Sequence, residues 1–75
     1  MSEAQNAQRL ASTLREVRET RGLTQAQLAE RIGVSRKTIN TVENGIFVPS
    51  TMIALKLAAA LGEPVESLFY LAAEE

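Results

Sequence analysis

Arg36, Lys37, Asn40, Thr41 and Asn44 stand at i, i+1, i+4, i+5 and i+8. On a helix these positions share the face opposite Ile39 and Val42, so one side is a buried stripe and the other a row of hydrogen-bonding tips. Their types match what the edges of base pairs offer: Arg or Lys to guanine O6 and N7, Asn to adenine, the Thr methyl to the thymine methyl. Plain solvation of an amphipathic helix produces a polar outer face too, so the helix taken alone leaves both readings open. Other chemistries have little to work with. The chain holds no His and no Cys, which removes the commonest general base, the commonest metal ligand and any thiolate or disulfide. Glu74-Glu75 is the only adjacent carboxylate pair, with no pocket-forming length around it. We expect no enzyme, no cofactor, no metal and no small-molecule ligand.

At 75 residues one domain with a thin core is expected, and a hydrophobic content of 45% is ordinary for a globular fold. No apolar run approaches the ~20 residues of a membrane span, and no charged-then-apolar leader opens the chain. A small, soluble, cytoplasmic protein is the expectation. The formal net charge of -1 hides a division. Residues 9–37 carry seven cations against three anions, whereas residues 38–75 carry Lys56 against five glutamates. A basic front is thus followed by an acidic back.

The apolar spacing is helical throughout. Leu10, Leu14 and Val17 make the stripe of a first helix ending near Arg21, with Gly22 at its left-handed cap. Thr24 reads as an N-cap, completed by Gln27 as a capping box. The second helix, with Leu28, Ala29 and Ile32 inward, stops at Gly33. Ser35 caps the third, which ends around Asn44-Gly45. Pro49 disfavours a helical Val48, Ser50 caps a fourth helix running to Leu61, and Gly62 stops it. Pro64 opens a brief fifth helix with Val65, Leu68 and Phe69. Two short helices joined by Gly33-Val34-Ser35 have the form of a helix-turn-helix, whose second member projects from the body of the domain.

Residues 14–45, LREVRETRGLTQAQLAERIGVSRKTINTVENG, resemble the phage-repressor or Cro type of helix-turn-helix, the Xre family. The likeness continues through PSTMIALKLAAALG and EPVESLF, covering residues 10–70 or so. Leu-Arg-x-x-Arg, Gly-Leu-Thr-Gln-x-x-Leu-Ala, Gly-Val-Ser, Glu-Asn-Gly and Pro-Ser occur in order at the family's spacing. The resemblance implies an all-α, five-helix, lambda-repressor-like domain that binds double-stranded DNA as a transcriptional regulator. It assigns Arg36, Lys37, Asn40 and Thr41 to base contacts, and Gln25, Ser35 and Asn44 to the DNA backbone. Gln25 could also brace the recognition helix. Arg18 and Glu43 match a pair that ties helix 1 to the end of helix 3; the alternative is two unrelated surface charges. Ile46 departs from the pattern, standing where a basic or polar residue often grips the backbone. Phe47 is expected against helix 4 or a neighbouring subunit, and Thr51 replaces the usual Leu.

Helix 4 is apolar on too many sides. Ala54, Leu57, Ala58 and Leu61 suffice to close the core, leaving Met52, Ile53 and Leu55 in need of cover. With Phe69, Tyr70 and Leu71 they form the expected homodimer interface; the alternative is a tail folded back over its own helix 4. Analogy with short Xre regulators allows a strand at residues 69–72 within that interface. The expected division is a flexible N-terminal arm (1–8), the DNA-binding domain (9–70) and a dimerisation tail (68–75). A two-fold dimer places its recognition helices about 34–36 Å apart, on an inverted-repeat operator where a repressor would act. Two alternatives stand beside it: a protein-protein interaction module on the same fold, and an antitoxin or restriction-system control protein.

Overall fold

The computed structural model describes residues 8–73. Their order is β1 (Gln8–Ser12), α1 (Leu14–Thr20), α2 (Gln25–Ile32), α3 (Arg36–Glu43), α4 (Thr51–Leu61), α5 (Val65–Leu68) and β2 (Phe69–Ala73). Five helices thus surround one core, and the strands pair antiparallel with Leu10 opposite Leu71 and Ser12 opposite Phe69. Leu14, Leu28, Ile39, Leu57 and Leu68 have no exposed surface, and Ala29, Ile32, Val42, Leu61 and Phe69 complete the core around them. Each helix contributes through one apolar stripe. The caps that delimit the stripes are formed as the residue types require. Ser35 and Ser50 accept from the backbone N–H groups of Thr38 and Ile53, and Gly33 and Gly62 close α2 and α4 in the left-handed conformation.

Several expectations are corrected at the ends of the fold. Leu10 is in β1, and the first helix begins only at Leu14. Leu10 packs against the core in either case, so its spacing to Leu14 could not distinguish a helix from a strand entering one. The backbone decides, because Thr13 N–H donates to Leu68 O at 2.9 Å and Thr13 Oγ1 to Ser67 O at 2.6 Å. The tail thereby takes hydrogen bonds that a longer helix would have made internally. The strand expected at residues 69–72 does form, as β2, but its partner is β1 of the same chain. Gln8 opens that strand and so is not part of the expected arm, whose other residues, 1–7, lie outside the described residues.

Phe69 is a further correction. Assigned to a dimer interface, it is a buried core residue, since the first residue of β2 must turn its ring under the sheet as α5 ends. Ile53 is likewise half-buried against the core. Met52, Leu55, Tyr70 and Leu71 are the members of that set left exposed. The other end of the domain is pinned by Arg21, whose Nε donates to Leu61 O at 3.0 Å while Nη2 pairs with Glu63 at 2.6 Å. A cation therefore caps the carbonyl end of α4, where the helix dipole favours it.

Candidate nucleic-acid interface

The helix-turn-helix is built from α2 and α3. Thr24 Oγ1 accepts from Gln27 N–H at 3.0 Å, and Gln27 Oε1 accepts from Thr24 N–H at 2.8 Å, a reciprocal capping box. At the other end Gly33 takes φ +77°, a conformation that a Cβ would strain. Gly33 and Val34 N–H groups both donate to Ala29 O, at 2.9 and 3.0 Å. The chain thus reverses in the space of one turn, and Ser35 starts α3 at once. Leu28, Ala29 and Ile32 of α2 meet Ile39 and Val42 of α3 in the core. The opposite face of α3 points outward.

Arg36 and Lys37 stand exposed on that face, and no ion pair among the described residues engages them. Ser35 and Asn44, at the two ends of α3, are exposed as well. Asn40 and Thr41 are half-buried. The hydroxyl of Thr41 is committed to its own helix, donating toward the carbonyls of Lys37 and Thr38 at 3.0 and 3.1 Å. Its methyl group and the lone pairs of its oxygen remain to offer a ligand. Ile46 and Phe47 join Ser35, Lys37, Thr38 and Thr41 around a shallow cleft beside the recognition helix. Phe47, expected against helix 4 or a neighbouring subunit, lines this cleft beside α3 and remains 44% exposed.

Behind the face lies a polar cluster with Glu43 at its centre. The Glu43 side chain has no exposed surface. Arg18, itself buried, donates from Nε to Glu43 Oε2 at 2.5 Å and from Nη2 to Oε1 at 3.1 Å. This bidentate geometry is the strongest form of the Arg–carboxylate pair. The third arm of the guanidinium, Nη1, donates to Leu23 O at 2.8 Å. Burial pushes the Glu43 pKa upward, but hydrogen bonds from Arg18, Gln25 and Arg15 and the Arg18 charge outweigh it and hold the carboxyl below its usual value. The hydrogen bond to Glu43 is the main reason that the Arg18 pKa is raised. Both groups stay charged, and α1 is fastened to the end of α3.

Gln25 links α2 to the same carboxylate, Nε2 donating to Glu43 Oε1 at 3.0 Å, and its Oε1 accepts from Asn40 Nδ2 at 3.5 Å. The bracing role is therefore visible in the geometry. Arg15 is the residue that sequence reasoning missed as part of the site. Its Nη2 donates to Asn44 Oδ1 at 2.8 Å and its Nε to Glu43 Oε1 at 3.3 Å. The signal was present in Leu-Arg-x-x-Arg, where a three-residue step places Arg15 and Arg18 on adjoining rows of one helix. The cluster brings Gln25, Asn40, Asn44, Arg18 and Glu43 together, while Ser35, Arg36 and Lys37 stand apart at the start of α3.

A helix-turn-helix family model matches residues 14–68. An uncharacterized HTH-type transcriptional regulator of Methanothermobacter thermautotrophicus is 46% identical over 63 residues, covering 83% of this chain and 91% of the relative. The uncharacterized HTH-type transcriptional regulator YgzD of Bacillus subtilis is 35% identical over 65 residues, covering 87% of this chain and 98% of its own length. Among solved structures, the restriction-modification controller protein C.AhdI of Aeromonas hydrophila superposes with a TM-score of 0.69 at 39% identity, over 72% of this chain and 82% of that one. The chain belongs to the helix-turn-helix family of DNA-binding transcriptional regulators, not to a family of enzymes.

Proposed function

We propose that this protein is a repressor that acts in the cytoplasm and binds an inverted-repeat operator as a homodimer, reading each half-site with α3. The observation that carries the reading is the outward row of Arg36, Lys37, Asn40 and Thr41, on a helix held from behind by the buried Arg18–Glu43 pair. Arg36 and Lys37 enter the major groove at the start of α3, with Asn40 and Thr41 one turn further along. Gln25, Ser35 and Asn44 face the DNA backbone. Occlusion of a promoter is the simplest mechanism for one such domain. The dimer forms through Met52, Leu55, Tyr70 and Leu71, the large apolar residues exposed on α4 and β2.

Selection of binding sites from random duplex DNA tests the proposal. We expect an enriched inverted repeat whose half-sites are about one helical turn apart. Arg36→Ala should weaken binding to that site by about 1–3 kcal/mol and relax preference at one base pair per half-site. Failure of the wild-type protein to enrich any sequence would overturn the reading. The exposed loop of Ile46, Phe47 and Val48 beside α3 favours a second reading, a protein-binding module. A salt titration separates the two, since phosphate contacts give a steep negative slope of log K against log salt.

A further inference from the structure

The polar cluster behind α3 is a directed chain, and its direction has a use. Arg15 can only donate hydrogen bonds and ionised Glu43 can only accept them. Between these fixed ends stand three amides, each able to turn either way. Arg15 Nη2 donates to Asn44 Oδ1, Asn44 Nδ2 to Asn40 Oδ1 at 3.2 Å, Asn40 Nδ2 to Gln25 Oε1, and Gln25 Nε2 to Glu43 Oε1. Reversing Asn40 would set its oxygen against Gln25 Oε1 and its nitrogen against Asn44 Nδ2. Every link agrees on one polarity. The direct contact of Arg15 Nε with Glu43 closes the chain into a ring across α1, α2 and α3.

We infer that Arg15 is a positioning residue for sequence readout, because it sets which way the amide of Asn40 faces. Its links by way of Asn44 are 2.8 and 3.2 Å, whereas Glu43, the other fixed end, reaches Asn40 only across the 3.5 Å contact with Gln25. This rests on the reading of α3 as the recognition helix. Asn40 spends one lone pair on Asn44 and one hydrogen on Gln25, and keeps one acceptor and one donor. Adenine presents the complementary pair in the major groove, a donor at N6 and an acceptor at N7. An amide free to turn would suit either order of donor and acceptor across the groove. An amide locked by its neighbours suits one, and so distinguishes a base pair from its reverse. Arg15, on α1, has its side chain half exposed and acts through Asn44 without needing to touch a base.

The test uses Arg15→Gln, which can donate or accept and so removes the fixed end on the Asn44 side while Glu43 stays, and Arg15→Lys, which is still an obligate donor. Binding sites are selected from random DNA with the wild-type protein and both variants, and affinities are compared across single base-pair changes. We expect Arg15→Gln to lower discrimination at the base pair read by Asn40 by about tenfold, and Arg15→Lys to retain most of it. Equal weakening by Arg15→Gln at all sequences, with base preferences intact, would show a phosphate contact and overturn the inference. Side-chain amide resonances of the DNA-free protein give an arm independent of recognition. Arg15→Gln should move those of Asn44 and Asn40 together, while Gln25 stays held by Glu43. Movement of Asn44 alone would overturn the inference, whereas a wild-type protein that selects no DNA overturns the reading beneath it and leaves this arm to decide the chain's direction.

Discussion

Glu43 is the residue on which the interface turns, since it is fully buried, charged, and shared by groups from α1 and α2. Removing one partner of a buried ion pair leaves the other charge unpaired, which costs more than the pair itself contributes. Glu43→Gln should therefore destabilise the domain by about 3 kcal/mol at pH 7, lowering Tm by roughly 15 °C in a chain of this size. The pH dependence follows from the lowered pKa of Glu43. A carboxyl whose pKa is lower folded than unfolded gives its stabilisation in full above the unfolded value, and loses it as pH falls through the folded one. Melting curves of both proteins should thus lie far apart at neutral pH and converge as the medium is acidified below about pH 4. At this scale much was legible. The Glu-Asn-Gly and Leu-Arg-x-x-Arg patterns matched the pair Arg18 and Glu43 before any coordinates. The partners of Asn40 were not, because an amide can bond to many neighbours and only the packing of α2 against α3 selects Gln25.

The helices were the most legible elements, because their ends are written in local chemistry. Thr24, Ser35 and Ser50 cap, and Gly33 and Gly62 stop, by interactions within a few residues in sequence. Ser35 carries the most consequence, since it sets where α3 begins and hence which residues face outward. Its Oγ accepts from Thr38 N–H at 3.2 Å and shares a hydrogen bond with Thr38 Oγ1 at 3.0 Å. Ser35→Ala should cost about 1 kcal/mol in a denaturant titration, whereas Ser35→Gly should cost only a few tenths. The strands were legible only in part. Residues 69–72 were read as a strand by analogy, with no partner strand named within the chain, and residues 10–12 were read as the start of the first helix. Strand pairing is decided by residues remote in sequence, and no periodicity within either segment records it.

At the scale of the whole molecule, a net charge of -1 divides into a basic front and an acidic back. The basic part includes β1, α1, α2 and the start of α3; the acidic part includes α4, α5 and β2. Among the described residues no helix is long and apolar enough to cross a membrane. The exposed apolar surface of α4 and β2 is where the proposed dimer would form. Leu71, 65% exposed on β2, tests the proposed dimer. Sedimentation at tens of micromolar should find a dimer for the wild type and a monomer for Leu71→Asp, with helical content unchanged. The sheet has a further consequence, in the connectivity of the chain. Gln8 is the register partner of Ala73, so strands from opposite ends of the described chain lie side by side, and the helices between them form one closed loop. Closing a loop of about sixty residues costs on the order of 4 kcal/mol in chain entropy. A chain joined by a tight turn between Ala73 and Gln8, and opened within residues 46–49, would keep the same packing while making that closure local. The fold is in this sense a ring of helices, and the covalent order of the sequence is one of several ways to thread it.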